Sequence, residues 1–244
     1  MEPKRSRTTQ RRWDCWVGAE IAALCLAGMI AGCTPTQQMA VEKSSLPTGG
    51  LLGDYSKLTP GGKDQFSLRY INPAAQWTGY NKVLLEPVTF WGDETTKISA
   101  ADQQHLCNFL HQALAEQLGT KYQMVDQPGP GVMRLQVAIM DAQAATPGLR
   151  TVSMVVPQAR ALSTLKYAAT GTYPFVGGAQ GEAKLTDAVS GQLLGEWVDK
   201  RIGGGSVQAA AQWQWGDAEN AMQAWAAKAV TVLSSWTSGT VKAS

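Results

Sequence analysis

A charge-free stretch from Ile21 to Gly32 runs unbroken into Cys33. Lys4, Arg5, Arg7, Arg11 and Arg12 precede it, and together these pieces take the first thirty-two residues out of any folding argument. Twelve helical residues reach about 18 Å, well short of the roughly 30 Å hydrocarbon core of a bilayer. The segment therefore reads as a secretory h-region and not as a stable membrane span.

Its end carries the sharper signal. Ile30-Ala31-Gly32-Cys33 resembles the bacterial lipobox, an aliphatic residue, two small ones and an obligatory Cys. The small residues let a peptidase approach the backbone. This pattern predicts a diacylglycerol on the Cys33 thiol and cleavage between Gly32 and Cys33. The plainer alternative is a free Cys at the end of an apolar run. Asp14 and Glu20 are unusual neighbours for such a signal, and Arg11-Arg12 raises a twin-arginine route whose flanking residues fit poorly.

Charge divides the chain at the same place. Residues 1–32 carry a balance of +2, and the remaining 212 hold 16 Lys/Arg against 16 Asp/Glu. A neutral mature chain has no polybasic patch for nucleic acid or for anionic lipid. At 44% hydrophobic and 16% charged it belongs with globular domains. Cys15 and Cys25 leave with the signal and Cys33 becomes a thioether, so Cys107 is left without a disulfide partner. It reads as a buried helix residue, with a reactive thiol as the alternative.

Residues 33–50 lack an apolar period and predict a flexible tether, which fully extended spans at most about 55–60 Å. Thr34 after the Cys lacks the acidic inner-membrane retention signal of many enteric lipoproteins. In a host with two membranes the outer one is favoured, with the protein held at the periplasmic face.

Residues 51–244 predict one domain. Leu51 to Tyr80 reads as an irregular wrapping segment, and Val83 to Phe90 as a buried strand disturbed by Pro87. Ser99-Ala-Ala-Asp102 opens a helix with an apolar face through Leu106, Leu110, Leu114 and Leu118, capped by Gly119. A short strand over 122–125 and a Pro-Gly turn lead into Val132 to Met140, a half-buried strand. Val152 to Val156 reads as a strand and Gln158 to Leu165 as a short helix. Gln180–Asp187 and Gln192–Ile202 form a hairpin, and Gly203-Gly-Gly-Ser206 connects it to a final helix from about Asp217. Ala218, Met222, Trp225, Ala229, Val232 and Trp236 stripe that helix. The order strand, helix, strands, hairpin, helix predicts an α+β fold, a mainly antiparallel sheet with two main helices on one face.

Several stretches, taken as a set, resemble a bacterial lipoprotein family catalogued as domain of unknown function thirty-three-thirteen. They are Gly50-Leu-Leu-Gly-Asp-Tyr55, Tyr70-Ile-Asn-Pro73, Val83-Leu-Leu-Glu-Pro-Val88, Asp126-Gln-Pro-Gly-Pro-Gly131 and Val155-Val-Pro157. Asp187 with Gly191, Asp199-Lys-Arg201 and Trp215-Gly-Asp217 complete it, so that nearly all of 47–236 is covered. The resemblance implies an exported, lipid-anchored domain and brings no catalytic residues. The strand–helix–strand opening is also similar to small periplasmic lipoprotein domains that serve as accessory subunits of envelope machines, an architectural analogy only.

Catalytic motifs are hard to find. His105 and His111 are about 240° apart around a helix, so they cannot share a metal, and Cys107 with His111 supplies two ligands without a third. The sequence thus calls for no metal and no small-molecule cofactor. Gly203-Gly-Gly-Ser206 lacks the Lys of a phosphate loop. Asp141, Asp187 and Asp199 have the chemistry for acid–base work if the fold brings them together, with His105 a further candidate for an envelope hydrolase. Nine tryptophans stand out, seven of them after Cys33. Trp225 and Trp236 belong to the core stripe. Trp91, Trp213 and Trp215 lie beside Gly and turn-like sequence, either packed on the sheet edge or forming an aromatic platform for a sugar or partner peptide. The first expectation is a non-catalytic domain held on a membrane by its N-terminal lipid and contacting an envelope protein partner. Hydrolysis and glycan binding are the alternatives.

Overall fold

The computed structural model describes residues 36–92, 98–146, 149, 152–153, 155–204 and 213–240. All of them belong to one unit, Thr34–Ser244. The lipobox residues Gly32 and Cys33 lie outside the described residues, as does Ser206 of the glycine connector.

Nine strands form one mixed sheet among the described residues. They are β1 (Thr36–Met39), β2 (Thr59–Pro60), β3 (Leu68–Ile71), β4 (Lys82–Leu85), β5 (Thr89–Phe90), β6 (Gln123–Met124), β7 (Val132–Gln143), β8 (Gly178–Asp187) and β9 (Leu193–Gly203). The spatial path is β2-β3-β9-β8-β7-β4-β6, with β1 alongside β9 and β5 alongside β7. Pairings from β2 to β7 along this path are antiparallel, whereas β4 and β5 run parallel to β7 and β6 parallel to β4. Parallel neighbours need a crossover, and α1 (Ala100–Gly119) supplies it between β4 and β6. The expected α+β class holds.

α1 starts where the sequence places it. Ser99 accepts the Asp102 backbone N–H at 3.1 Å, satisfying one orphan donor of the first turn. Its end differs by one residue, because Gly119 is still helical and Thr120 closes the helix. The last helix, α3 (Gly216–Thr237), lies beside α1 on one face of the sheet. Leu106, Leu110 and Leu114 of α1, Met222, Trp225 and Leu233 of α3, and Met133, Leu135 and Leu185 of the sheet form the main core. A smaller core of Val41, Leu52, Leu58, Leu68 and Val198 covers another part of the sheet under the N-terminal segment. No described helix is long and apolar enough to cross a membrane.

Three expectations are corrected. Residues 36–50 are not a tether: β1 pairs with β9 from Thr36↔Gly203 to Met39↔Lys200, because an edge ladder and not an apolar pattern holds it. Val152–Val156 is not a strand. Val152, Ser153 and Val155 are helical, Val156 donates to the Val152 carbonyl, and Pro157 opens a further helix, α2 (Pro157–Thr170), where its missing N–H costs nothing. β7 is more than half-buried, since Ala138, Met140 and Ala142 are covered as well as Met133, Leu135, Val137 and Ile139. Pro87 does interrupt its strand, separating β4 from β5.

Candidate functional site

The three turn-region tryptophans have different fates. Trp215 is 4% exposed and joins the main core, so it offers no exposed ring. Trp91 and Trp213 stay open, 44% and 46% exposed. The Trp91 indole donates to Thr89 Oγ1 at 2.8 Å. Trp213 is built into a small cluster: its N–H donates to one oxygen of Glu219 at 2.9 Å, and His105 Nε2 reaches the other at 2.9 Å. The two rings meet edge to face, 5.1 Å apart. Glu219 in the first turn of α3 thereby joins α1 to the chain entering α3. No ring contact links Trp91 to Trp213 among the described residues, so the structure gives two exposed indoles and not one platform.

Asp199 sits at the heart of a buried polar network. Its Oδ1 accepts from Gln38 Nε2, Ser67 N and Ser67 Oγ, each at 2.8 Å, and its Oδ2 accepts from the Trp225 indole at 2.9 Å. Lys228 donates to Gln38 Oε1 and to the Gln65 carbonyl, at 3.1 and 2.9 Å, with its ammonium over the Phe66 ring. Burial pushes the Asp199 carboxyl above its ordinary value, against the Ser67 hydrogen bonds and the Lys228 charge. Arg201, two residues on, donates to Thr36 Oγ1 at 2.9 Å. These contacts fasten β1, β9 and α3 together, which is how a polar strand such as β1 holds its place.

The other proposed acids are elsewhere. Asp187 closes the β8–β9 turn, accepting the Ser190 and Val189 backbone N–H groups and the Ser190 hydroxyl, which holds its carboxyl low. Tyr80 donates to it, and burial with this contact pushes the phenol up to about 12. In the β7–β8 ladder Asp187 pairs with Met133 at one end and Asp141 with Gln180 towards the other, so the register separates these two acids. The sequence reading missed Glu182. It is 1% exposed and accepts from the Tyr55 hydroxyl at 2.7 Å and the Leu52 N–H at 3.3 Å, clasping the 50–55 loop onto β8. Its neighbourhood is long-range, which no local spacing reports.

An open groove of about 750 Å³ runs past Gln38 and Ser67, whereas the enclosed space beside Asp199 and Trp225 is small. A cavity of about 60 Å³ lies between α1, α3 and the sheet, lined by Phe66, Trp197, Trp225, Asp199 and aliphatic side chains. That admits a water or two, not an organic cofactor. Among the described residues no group of three His, Cys, Asp or Glu is placed to hold a metal ion. Cys107 is buried, and burial raises its thiol pKa, which keeps it protonated and unreactive.

The family model described as "Protein of unknown function (DUF3313)" matches residues 47–229. The chain belongs to this family. The DUF3313 match takes in the Glu182 clasp, the Asp187 turn, Asp199 with Ser67 and Lys228, and the Trp213 cluster. It also takes in Asp217, a fully buried acid that accepts the Gly177 N–H at 2.8 Å and packs where a Cβ on Gly203 would stand. No curated protein matches the sequence. Among solved structures the chain is similar to the PelC dodecamer from Paraburkholderia phytofirmans, at 10% identity and a TM-score of 0.35, over 66% of this chain and 94% of that one. A Xanthomonas campestris protein gives 10% and 0.35 over 70% and 94%. A neuraminyllactose-binding hemagglutinin homolog from Helicobacter pylori gives 12% and 0.31 over 68% and 91%.

Proposed function

We propose that this DUF3313 chain is a lipid-anchored protein of the bacterial envelope, cleaved between Gly32 and Cys33 and acylated on Cys33, whose domain binds another envelope component without catalysing a reaction. One observation carries the reading. The basic n-region, the twelve-residue apolar run and the Ile30-Ala-Gly-Cys33 box stand in register, and the first strand begins at Thr36, three residues after the cysteine. A chain acylated there holds its domain against the membrane with almost no slack. In a host with two membranes, Thr34 favours the outer one. The exposed Trp213, backed by Glu219 and His105, supplies an aromatic anchor of the kind that dominates protein contacts.

Radiolabelled palmitate and in-cell crosslinking test this together. The wild-type chain takes up label and Cys33→Ala takes up none and stays uncleaved. A photo-crosslinker replacing Trp213 yields one discrete adduct with an envelope protein. Label on the Cys33→Ala chain, or no adduct from either Trp213 or Trp91, overturns the corresponding half of the reading.

A further inference from the structure

α2 is an element without a protein partner over most of its surface. Of its fourteen residues only Ser163 is buried, where its hydroxyl donates to the Ser153 carbonyl at 3.1 Å and the Ala159 carbonyl at 2.8 Å. At 100° per residue, Ala161, Leu162, Leu165, Ala168 and Ala169 fall within an arc of about 120° on the side opposite Ser163. This apolar stripe therefore points outward, with Leu162 68% and Leu165 66% exposed. Val152 and Val155 continue the exposed apolar surface before the helix. After it comes Phe175, an open ring on a residue held at φ 60°, a conformation that bulky residues rarely adopt.

Charge and chain length bear on what could cover the stripe. Residues 142–181 contain Arg150, Arg160 and Lys166 and no Asp or Glu, in a chain whose mature part is balanced only as a whole. A helix with an apolar face, flanking cations and no acids suits the boundary between anionic headgroups and acyl chains. The C-terminal end of α2 is also tied to the start of the fold, for Gln37 Nε2 donates to the Gly171 carbonyl at 2.9 Å. Cys33 precedes Gln37 by four residues, a reach of at most about 14 Å, less than the roughly 21 Å length of α2 itself.

We infer that α2 lies on the bilayer, its outward stripe entering the headgroup–acyl boundary beside the lipid on Cys33. This rests on the lipid anchor proposed above, and it adds a second attachment that fixes the orientation of the domain. The anchor alone lets the domain rotate; anchor and helix together present one chosen surface to the periplasm.

The test uses the full chain, purified with its acyl groups and reconstituted into phosphatidylethanolamine–phosphatidylglycerol vesicles that carry acyl-chain nitroxide lipids. Cys107 is buried and Cys33 is blocked by lipid, so one added thiol reports its own site. An environment-sensitive fluorophore on Ala161→Cys should be quenched about threefold, and one on Lys121→Cys, next to β6 at the opposite sheet edge, should not. Adding Leu162→Glu and Leu165→Glu, both at exposed sites, abolishes the quenching while the acyl chains keep the protein on the vesicles. Mass spectrometry of the same sample reads the anchor separately. An unquenched Ala161 label on acylated protein overturns the docking and leaves the anchor standing, and an unmodified Cys33 overturns both. Crosslinks between Ala161→Cys positions of two copies, without quenching, overturn it in favour of self-association.

Discussion

The indole N–H of Trp225 donates to Oδ2 of Asp199 at 2.9 Å, and both side chains are buried between α3 and the sheet. With Gln38 and Ser67 on the other oxygen, one carboxylate ties three chain segments together. Asp199→Ala strands the Trp225, Ser67 and Gln38 donors and leaves the half-buried Lys228 without its counter-charge. The expected loss is about 3–5 kcal/mol of stability, and about 1–3 kcal/mol for Asp199→Asn, which keeps the shape and one acceptor. Urea unfolding of the chain from residue 34 onward measures both.

Stability should depend on pH in an unusual direction. Burial raises the carboxyls of Asp199, Glu182 and Glu196 above their ordinary values of 3.8, 4.5 and 4.5. The native state then holds these protons more tightly than the unfolded chain. Their contribution is full below the ordinary values and is lost as pH rises through the raised native ones. Asp187 works oppositely, because the Ser190 backbone bond lowers its carboxyl, so its contribution is present above 3.8 and lost as pH falls through the native value. Urea midpoints should therefore rise as pH is lowered through the raised native values towards the ordinary 4.5 and 3.8, and fall again as the lowered Asp187 carboxyl is protonated. Glu182→Gln should flatten the first slope. A midpoint that climbs steadily up to neutral pH contradicts this assignment.

How much of this was legible depends on whether the forces are local. The period of Leu106, Leu110 and Leu114 and of Met222, Trp225 and Trp236 marks α1 and α3, because a core-facing stripe is written at three-four spacing. β1 leaves no such trace. Thr36-Gln-Gln-Met39 is polar, and its place comes from the β9 ladder and from Asp199, far away in sequence. α2 is legible only in part: a helix is expected over Gln158–Leu165 and runs from Pro157 to Thr170, while the β-branched Val152, Val155 and Val156 before it favour a strand by propensity alone. Asp199 was visible as an acid and Glu182 was not noticed. Neither Lys228 nor Tyr55 could be matched to them without the fold.

The two neighbouring indoles, Trp213 and Trp215, should separate stability from binding. Trp215→Ala empties a core position and costs about 3–5 kcal/mol. Trp213→Ala, at an exposed site, changes stability by less than about 1 kcal/mol, the scale of the exposed His105–Glu219 and Trp213–Glu219 contacts it disturbs. It should still weaken the in-cell crosslink to the envelope partner. Thermal melts alongside crosslink yields give the comparison, and equal losses in both assays for Trp213→Ala would sink the binding role.

The helix cap offers a local check on the fold. Ser99→Ala removes the acceptor for the Asp102 N–H and should cost about 1 kcal/mol, with Ser99→Asp restoring it. Hydrogen exchange confined to the first turn of α1 is the readout.

The attachment of the domain is decided most directly by intact-mass and peptide mass spectrometry of the protein recovered from bacterial membranes. The account predicts a chain that starts at Cys33, heavier than its sequence by a diacylglycerol and an amide-linked acyl chain. A chain with an unmodified Cys33, or one that starts at another residue and is recovered from the aqueous fraction, contradicts it.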